Sequence, residues 1–258
     1  MIPPTPFTLS AKEKLKNINE LLSNHHIIDS KGRYIHRKIM HRVFNVDFEH
    51  GGRFYGGEWQ NMSGNERLKL TIDNLPVVEM DYSALHPSML YAMIGMSLEG
   101  DPYSLNGYSP EVRDFLKIVM LVLINTGDKS KAKKAIQRII NFGQLILPDE
   151  VKSLDDILNG YMDKLRPIAH LFCGDIGLKL QRSDSDICED VLMHFCKKDI
   201  PVLPVHDSFI VQKNHEKMLN EVMREVFFDK YNVRCNVSKK TAKRHASRQL
   251  EKNSNLYE

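Results

Sequence analysis

Val77-Val78-Glu79-Met80-Asp81-Tyr82-Ser83-Ala84-Leu85-His86-Pro87-Ser88 is the stretch whose reading decides the fold of this chain. Its apolar opening reads as a β-strand that ends on an acid, and the residues after Ser83 turn into a helix running from about Pro87 to Ile94 and stopping at Gly95. Proline in the first helical turn and glycine just past the end is the expected asymmetry. A second stretch, Val202-Leu203-Pro204-Val205-His206-Asp207-Ser208-Phe209-Ile210-Val211, reads as two apolar strands folded back on each other with an acid at the bend. Two carboxylates delivered by strand ends can hold a pair of Mg²⁺ ions about 3.5–4 Å apart for in-line displacement at phosphorus. An acid at the end of an apolar strand is costly without a counter-charge, which a metal supplies. Phosphoryl transfer is therefore the expected chemistry, with Mg²⁺ as cofactor and Mn²⁺ as its substitute.

The 258 residues allow one large domain, or a core with a small subdomain, stable without staples. The four cysteines, Cys173, Cys188, Cys196 and Cys235, have no C-x-x-C or metal-ligand spacing and read as buried or idle thiols of a reducing cytosol. The opening residues lack a basic and apolar leader pattern, and the longest apolar run, Ile118 to Ile124, is too short to span a bilayer. A cytoplasmic or nucleoid-associated protein without membrane partners is expected. Net charge is only +3, but cations gather at both ends: Lys12, Lys14, Lys16, Lys31, Arg33, Arg37, Lys38 and Arg42, then Arg234, Lys239, Lys240, Lys243, Arg244, Arg248 and Lys252. Basic ends around an acid-bearing centre suit a nucleic-acid enzyme, and ordinary solvated surface is the alternative.

The run from Gly51 to Ala92 resembles the core of the family A polymerases, whose pattern runs TGR, QNIP, an arginine, then DYSQIELR. Arg53 stands in the TGR position, Gln60 and Asn61 in QN, Arg67 at the following arginine, and Asp81-Tyr82-Ser83 in DYS. His206-Asp207-Ser208-Phe209 is similar to the HDSF of single-subunit phage and mitochondrial RNA polymerases and to the HDE of family A DNA polymerases. Gln181-Arg182-Ser183-Asp184-Ser185-Asp186-Ile187 resembles the QGTAADI that precedes HDE in bacterial DNA polymerase I. Four blocks in the right order are specific where each alone is weak. The family's polymerase region is longer, so this reads as a trimmed version without room for a proofreading exonuclease.

The fold this implies is α+β: a polymerase palm, an antiparallel sheet with flanking helices, with a reduced helical fingers subdomain and a vestigial thumb. Along the chain, 1–43 is a basic helical segment standing as a thumb remnant and 44–108 the first part of the palm. Fingers-like helices follow over 109–170, the second part of the palm over 171–237, and a basic tail over 238–258. Within these, residues 10–23 form an amphipathic helix capped by Ser10, and a helix begins near Ser109-Pro110-Glu111 and ends at Asn125-Thr126-Gly127. Lys129 to Asn141 is a basic helix, 150–175 continue helically, Ser183 or Asp184 caps a helix, and a last helix buries Leu219, Val222, Met223, Val226 and Phe227.

The resemblance also assigns roles. Asp81 and Asp207 would bind both metals, with the Tyr82 carbonyl as an extra ligand at the nucleotide. Arg113 and Lys117, four residues apart on one helix face, match the fingers RxxxK that grips the triphosphate; Lys117 would protonate the leaving group and Arg113 hold the γ-phosphate. His206 would lie against the primer terminus, and Arg53, Gln60, Asn61 and Gln181 along the template–primer. Asn125 and Thr126 stand where the family has tyrosine and glycine, so the nucleotide pocket is built differently there or the register is displaced by one. His86, five residues after the first acid, lines the ribose 2′ position, where a bulky ring favours deoxynucleotides. Implied partners are primer–template DNA, or RNA in its place, nucleoside triphosphates, and a helicase or accessory replication proteins, with a phage or mobile element as a natural setting. Two other readings stay open: an RNA polymerase or primase of the single-subunit type, and an inactive polymerase-like protein that binds nucleic acid. A two-metal nuclease would share the carboxylates but would not need the TGR-like and RxxxK blocks.

Overall fold

A computed structural model describes residues 4–174 and 176–242. In chain order its regular elements are α1 (Pro6–Asn24), β1 (Ile27–Ile28), β2 (His41–Phe44), β3 (Gly51–Tyr55), a 3₁₀ turn over Glu58–Asn61, α2 (Gly64–Arg67), β4 (Thr71–Ile72) and β5 (Leu75–Tyr82). Then come α3 (Leu85–Met93), α4 (Val112–Asn125), α5 (Lys129–Asn141), α6 (Leu154–Lys164), α7 (Gly177–Cys196), β6 (Leu203–Val205), β7 (Ser208–Gln212), α8 (Glu216–Tyr231) and β8 (Val237–Lys239). This is an α+β chain with an antiparallel sheet and flanking helices. Its described residues divide into two compact units, one built from residues 4–86 together with 179–242, the other from residues 87–178.

In the first unit the sheet runs β1-β4-β5-β7-β6, and β8 also pairs with β5. β5 is the axis: residues 77–81 pair with β7 and residues 80–82 with β8, all antiparallel. The period of two then sorts its side chains. Val78, Met80 and Tyr82 point to one face, where the Tyr82 ring lies 6.2 Å from Phe227 of α8 and its hydroxyl donates to the Met223 carbonyl. Glu79 and Asp81 share the opposite face. β2 and β3 form a separate hairpin, pinned by α1 through the Phe7, Phe44 and Phe48 rings, whose centroids are 5.0–6.0 Å apart. The Gly56 backbone, at φ +115°, passes so close to the Ile39 carbonyl that an added Cβ would sit 2.3 Å from it, which only glycine avoids.

Several expected boundaries move. α1 starts at Pro6, not after Ser10: Thr5 accepts from the Thr8 N–H, Thr8 returns the bond in a capping box, and Pro6 follows at the first position. α7 starts at Gly177, so Ser183 and Asp184 lie inside it. Asp184 is 2% exposed and bonded across the unit, which outweighs its preference for a cap. The helical run over 150–175 is shorter, α6 alone, followed by turns around Pro167 and a 3₁₀ turn at Ala169–Leu171. The basic C-terminal stretch contributes β8 to the sheet, while Lys243, Arg244, Arg248 and Lys252 lie outside the described residues. The helix over 129–141 and the last helix are as the spacing predicts, with Leu219, Val222, Met223 and Phe227 buried, but Val226, expected in the core, is only half-buried at the edge of that face. All four cysteines are free thiols, and burial raises each above its ordinary range, which fits inert groups. Among the described residues, no helix is long and apolar enough to cross a membrane.

Candidate active site

Two strand ends bring the acids together. Asp81 is the penultimate residue of β5 and lies opposite Ser208, the first residue of β7. Asp207 precedes Ser208 in the two-residue turn of the β6–β7 hairpin, where Val205 pairs with Ser208. The turn is held from the β5 side by the Tyr82 N–H donating to the Asp207 carbonyl at 3.2 Å. Its first residue, His206, takes φ 54°, a left-handed conformation that costs a non-glycine residue roughly 1–2 kcal/mol. Such strain persists where the surroundings over-determine it. Here the His206 ring packs edge-on to Tyr55 at 5.8 Å.

The electrostatics of the pair are unbalanced. Burial, and then the nearby Asp207 charge, push the Asp81 carboxyl up to about 7, against the opposing pull of Lys240. Lys240 lies just beyond β8, across from Glu79, to whose carbonyl its N–H donates at 2.8 Å. Its Nζ sits 3.0 Å from Glu79 Oε1, 3.4 Å from Asp81 Oδ1 and 3.3 Å from Ser208 Oγ. Burial alone would lower the Lys240 ammonium, but Asp81, Glu79 and Asp207 together raise it. Glu79 has no exposed surface. Arg67 grips it with two parallel bonds of 2.9 Å, Nε to Oε2 and Nη2 to Oε1, and the Ser208 hydroxyl donates to Oε1 at 2.9 Å. Fork-to-carboxylate geometry of this kind is the strong form of the interaction.

A second cluster ties three more residues together. Asp184 on α7 is an ion-pair partner of Arg53 at 3.1 Å, and its carboxylate lies 3.8 Å from Nε2 of His86. Burial pushes its carboxyl up, but the His86 and Arg53 contacts outweigh this and hold it below its ordinary value. Gln60 serves the scaffold: its amide donates to the carbonyls of Phe54 and Pro204 at 2.9 and 3.2 Å. Asn61 is exposed at the end of its 3₁₀ turn and Gln181 is half-buried on α7. The Tyr82 ring is in the core, so only its main chain is left for a ligand.

The other sequence candidates belong to the second unit. On α4, Arg113 and Lys117 both stand over the Tyr103 ring, at 5.3 and 5.8 Å. Arg113 pairs with Asp101 at 2.6 Å and Lys117 with Asp114 at 3.5 Å, all partly exposed. Asn125 and Thr126 close the helix, donating back to the carbonyls of Leu121 and Val122 at 2.8 Å. The Asn125 side chain also lies against Gly177, where an added Cβ would be 1.9 Å from its oxygen.

The paired acids suit a hard divalent cation. Among the described residues, no group of three or more His, Cys, Asp or Glu is arranged to hold a metal ion. Mg²⁺ does not require such a cage, because it commonly takes one or two carboxylates and completes its shell with water and substrate phosphates. Asp81 and Asp207 could supply the carboxylates of that smaller set.

No family model and no curated protein matches this chain. Among solved structures it is similar to the POL domain of Pol1 from M. smegmatis, in complex with DNA primer-template and dNTP, at 15% identity and a TM-score of 0.45. The match covers 89% of this chain and 51% of that one, so the chain spans about half the length of the structure it matches. Likeness at this level does not extend to function.

Proposed function

We propose that this chain is a template-directed nucleotidyltransferase, a DNA polymerase of family A type with a reduced fingers unit and a vestigial thumb. The observation that carries the reading is the meeting of Asp81, at the end of β5, with Asp207, in the turn that leads into the adjacent antiparallel strand β7. The order of the TGR-like, DYS, RxxxK and HDS blocks supports it.

When bound, Mg²⁺ would activate a primer 3′-hydroxyl and neutralise charge on the triphosphate. Asp81, Asp207 and the Tyr82 carbonyl would hold it. Arg113 and Lys117, projecting from one face of α4, would bind phosphate oxygens, Arg113 at the γ position and Lys117 where charge develops on the leaving group. His206 would face the primer terminus, and Arg53 the template–primer. The His86 ring, pinned by Asp184, would close the 2′ side of the sugar pocket and favour deoxynucleotides.

Primer extension with separate dNTP and NTP pools tests this. Extension with dNTPs that is abolished by Asp81→Ala and by Asp207→Ala, in variants that keep the wild-type circular dichroism, is the expected result. Activity retained in either variant removes the paired-acid assignment. Wild-type use of NTPs as readily as dNTPs moves the reading to a single-subunit RNA polymerase.

A further inference from the structure

We propose that Lys240 is the resident counter-cation of the acid pair, and that a divalent metal must displace its ammonium from Asp81 to bind. The inference rests on the reading of Asp81 and Asp207 as metal-holding residues, but it concerns a side chain that no polymerase block assigns.

The geometry is specific. Main-chain pairing with Glu79 fixes the Lys240 backbone, so the side chain reaches its partners from a set position. Its Nζ lies between Glu79 and Asp81, which are two residues apart on one strand face and so separated by about 6.6 Å along the strand. It faces Oδ1 of Asp81, an oxygen of a carboxylate that the proposed function assigns to the metal. An ammonium and a dication cannot share that oxygen closely without strong repulsion.

Glu79 gives the displaced ammonium somewhere to go. It is locked by Arg67 and Ser208, stays charged, and already holds Nζ at the shorter of the two carboxylate distances. The Lys240 side chain is about one-third exposed, so a rotamer change can carry its head from Asp81 toward Glu79 and solvent without moving β8. One side chain would then neutralise the acids when metal is absent and withdraw when it arrives.

The test measures Mn²⁺ binding to the full chain by the electron paramagnetic resonance of free Mn²⁺, without substrates. Lys240→Met should bind Mn²⁺ at least tenfold more tightly than wild type, and Lys240→Arg, which keeps the charge, within about threefold of it. Equal or weaker binding by Lys240→Met overturns the inference. Should that variant fail to fold, wild-type protein decides: amine acetylation at Lys240, read by mass spectrometry, should rise several-fold with saturating Mn²⁺, and an unchanged level overturns the proposal. The Asp81→Asn/Asp207→Asn double variant separates the two readings. If it loses Mn²⁺ binding while Lys240→Met binds like wild type, only the displacement fails; if it binds Mn²⁺ like wild type, the acid pair itself does.

Discussion

Replacing Arg67 by methionine probes the polar layer beneath the acids. Arg67 makes two 2.9 Å bonds to a fully buried carboxylate and a third, at 2.7 Å, to the Met62 carbonyl. Removing one partner of a buried ion pair leaves an uncompensated charge and typically costs about 3–5 kcal/mol. Lys240, 3.0 Å from the same carboxylate, remains and moves the expectation to the lower end, about 3 kcal/mol. Against a total stability of about 5–15 kcal/mol this is a large fraction. Trp59, the only tryptophan, is wholly buried in the same unit and donates to the Pro204 carbonyl at 3.0 Å, so its fluorescence reports unfolding of the sheet under urea. With a slope of about 3 kcal/mol/M the midpoint should fall by about 1 M. The sign with pH follows from Glu79. Burial raises its carboxyl, but Arg67 and Lys240 outweigh this and hold it below the ordinary 4.5. Its contribution is therefore complete above that value and is lost as pH falls through the folded value. Without Arg67 the burial effect dominates, so the gap between wild type and Arg67→Met should narrow below about pH 4. The double change Arg67→Met with Glu79→Leu should recover most of the loss, as apolar replacements of buried pairs often do. A single variant within about 0.5 kcal/mol of wild type, or a double variant no better than the single, would refute the account.

Asp81→Asn should stabilise the protein in the presence of a chelator: the carboxyl moves from 3.8 to about 7 on folding, so wild type loses stability as pH rises between those values. The advantage should be absent at pH 4 and reach at most about 4 kcal/mol above pH 7, reduced by the lost Lys240 pairing; urea melts at both pH values check it. Ala84, at φ 55° in the turn between β5 and α3, should gain about 1 kcal/mol on change to glycine, and a loss of stability would show that the left-handed turn is not strained. His86→Gly should raise NTP use relative to dNTP in primer extension by tenfold or more. Asp184→Asn, which weakens the hold on His86, should move the ratio the same way by less; a ratio unmoved in both would remove the sugar gate.

The acids were legible because their placement is anomalous at short range. A carboxylate at the end of an apolar strand, and another between two apolar runs, need no tertiary information to be noticed, and the alternation along Val77–Tyr82 already assigns Asp81 a face. Their counter-charges were not legible. Asp184 meets Arg53 and His86 from a helix far along the chain, and its sequence neighbourhood reads equally well as a cap. Arg67 is visible in the sequence as the arginine of a resemblance, but its grip on Glu79 depends on α2 closing over β5.

Lys240 is the sharpest case, since it sits in a basic stretch where any lysine reads as solvated surface. What distinguishes it from Lys239 is one step of strand parity. Lys239 is paired with Met80 and sends its Nζ to Glu216 at the start of α8, 2.8 Å away, on the face occupied by Tyr82 and Phe227. Lys240, opposite Glu79, reaches the acid face. A slip of one residue in the β5–β8 register would exchange the two lysines and aim Lys239 at Asp81. The counter-charge of the site is therefore set by the pairing of a three-residue strand, which has too few residues to carry a periodic signal of its own. Arg224 secures that register from α8, its Nη1 donating to the Cys235 carbonyl at 3.2 Å, while the Ser83 N–H donates to the Asn236 carbonyl at 2.8 Å. The local chemistry of the acids is written in two short motifs, and their neutralisation in contacts that exist only once the sheet has closed.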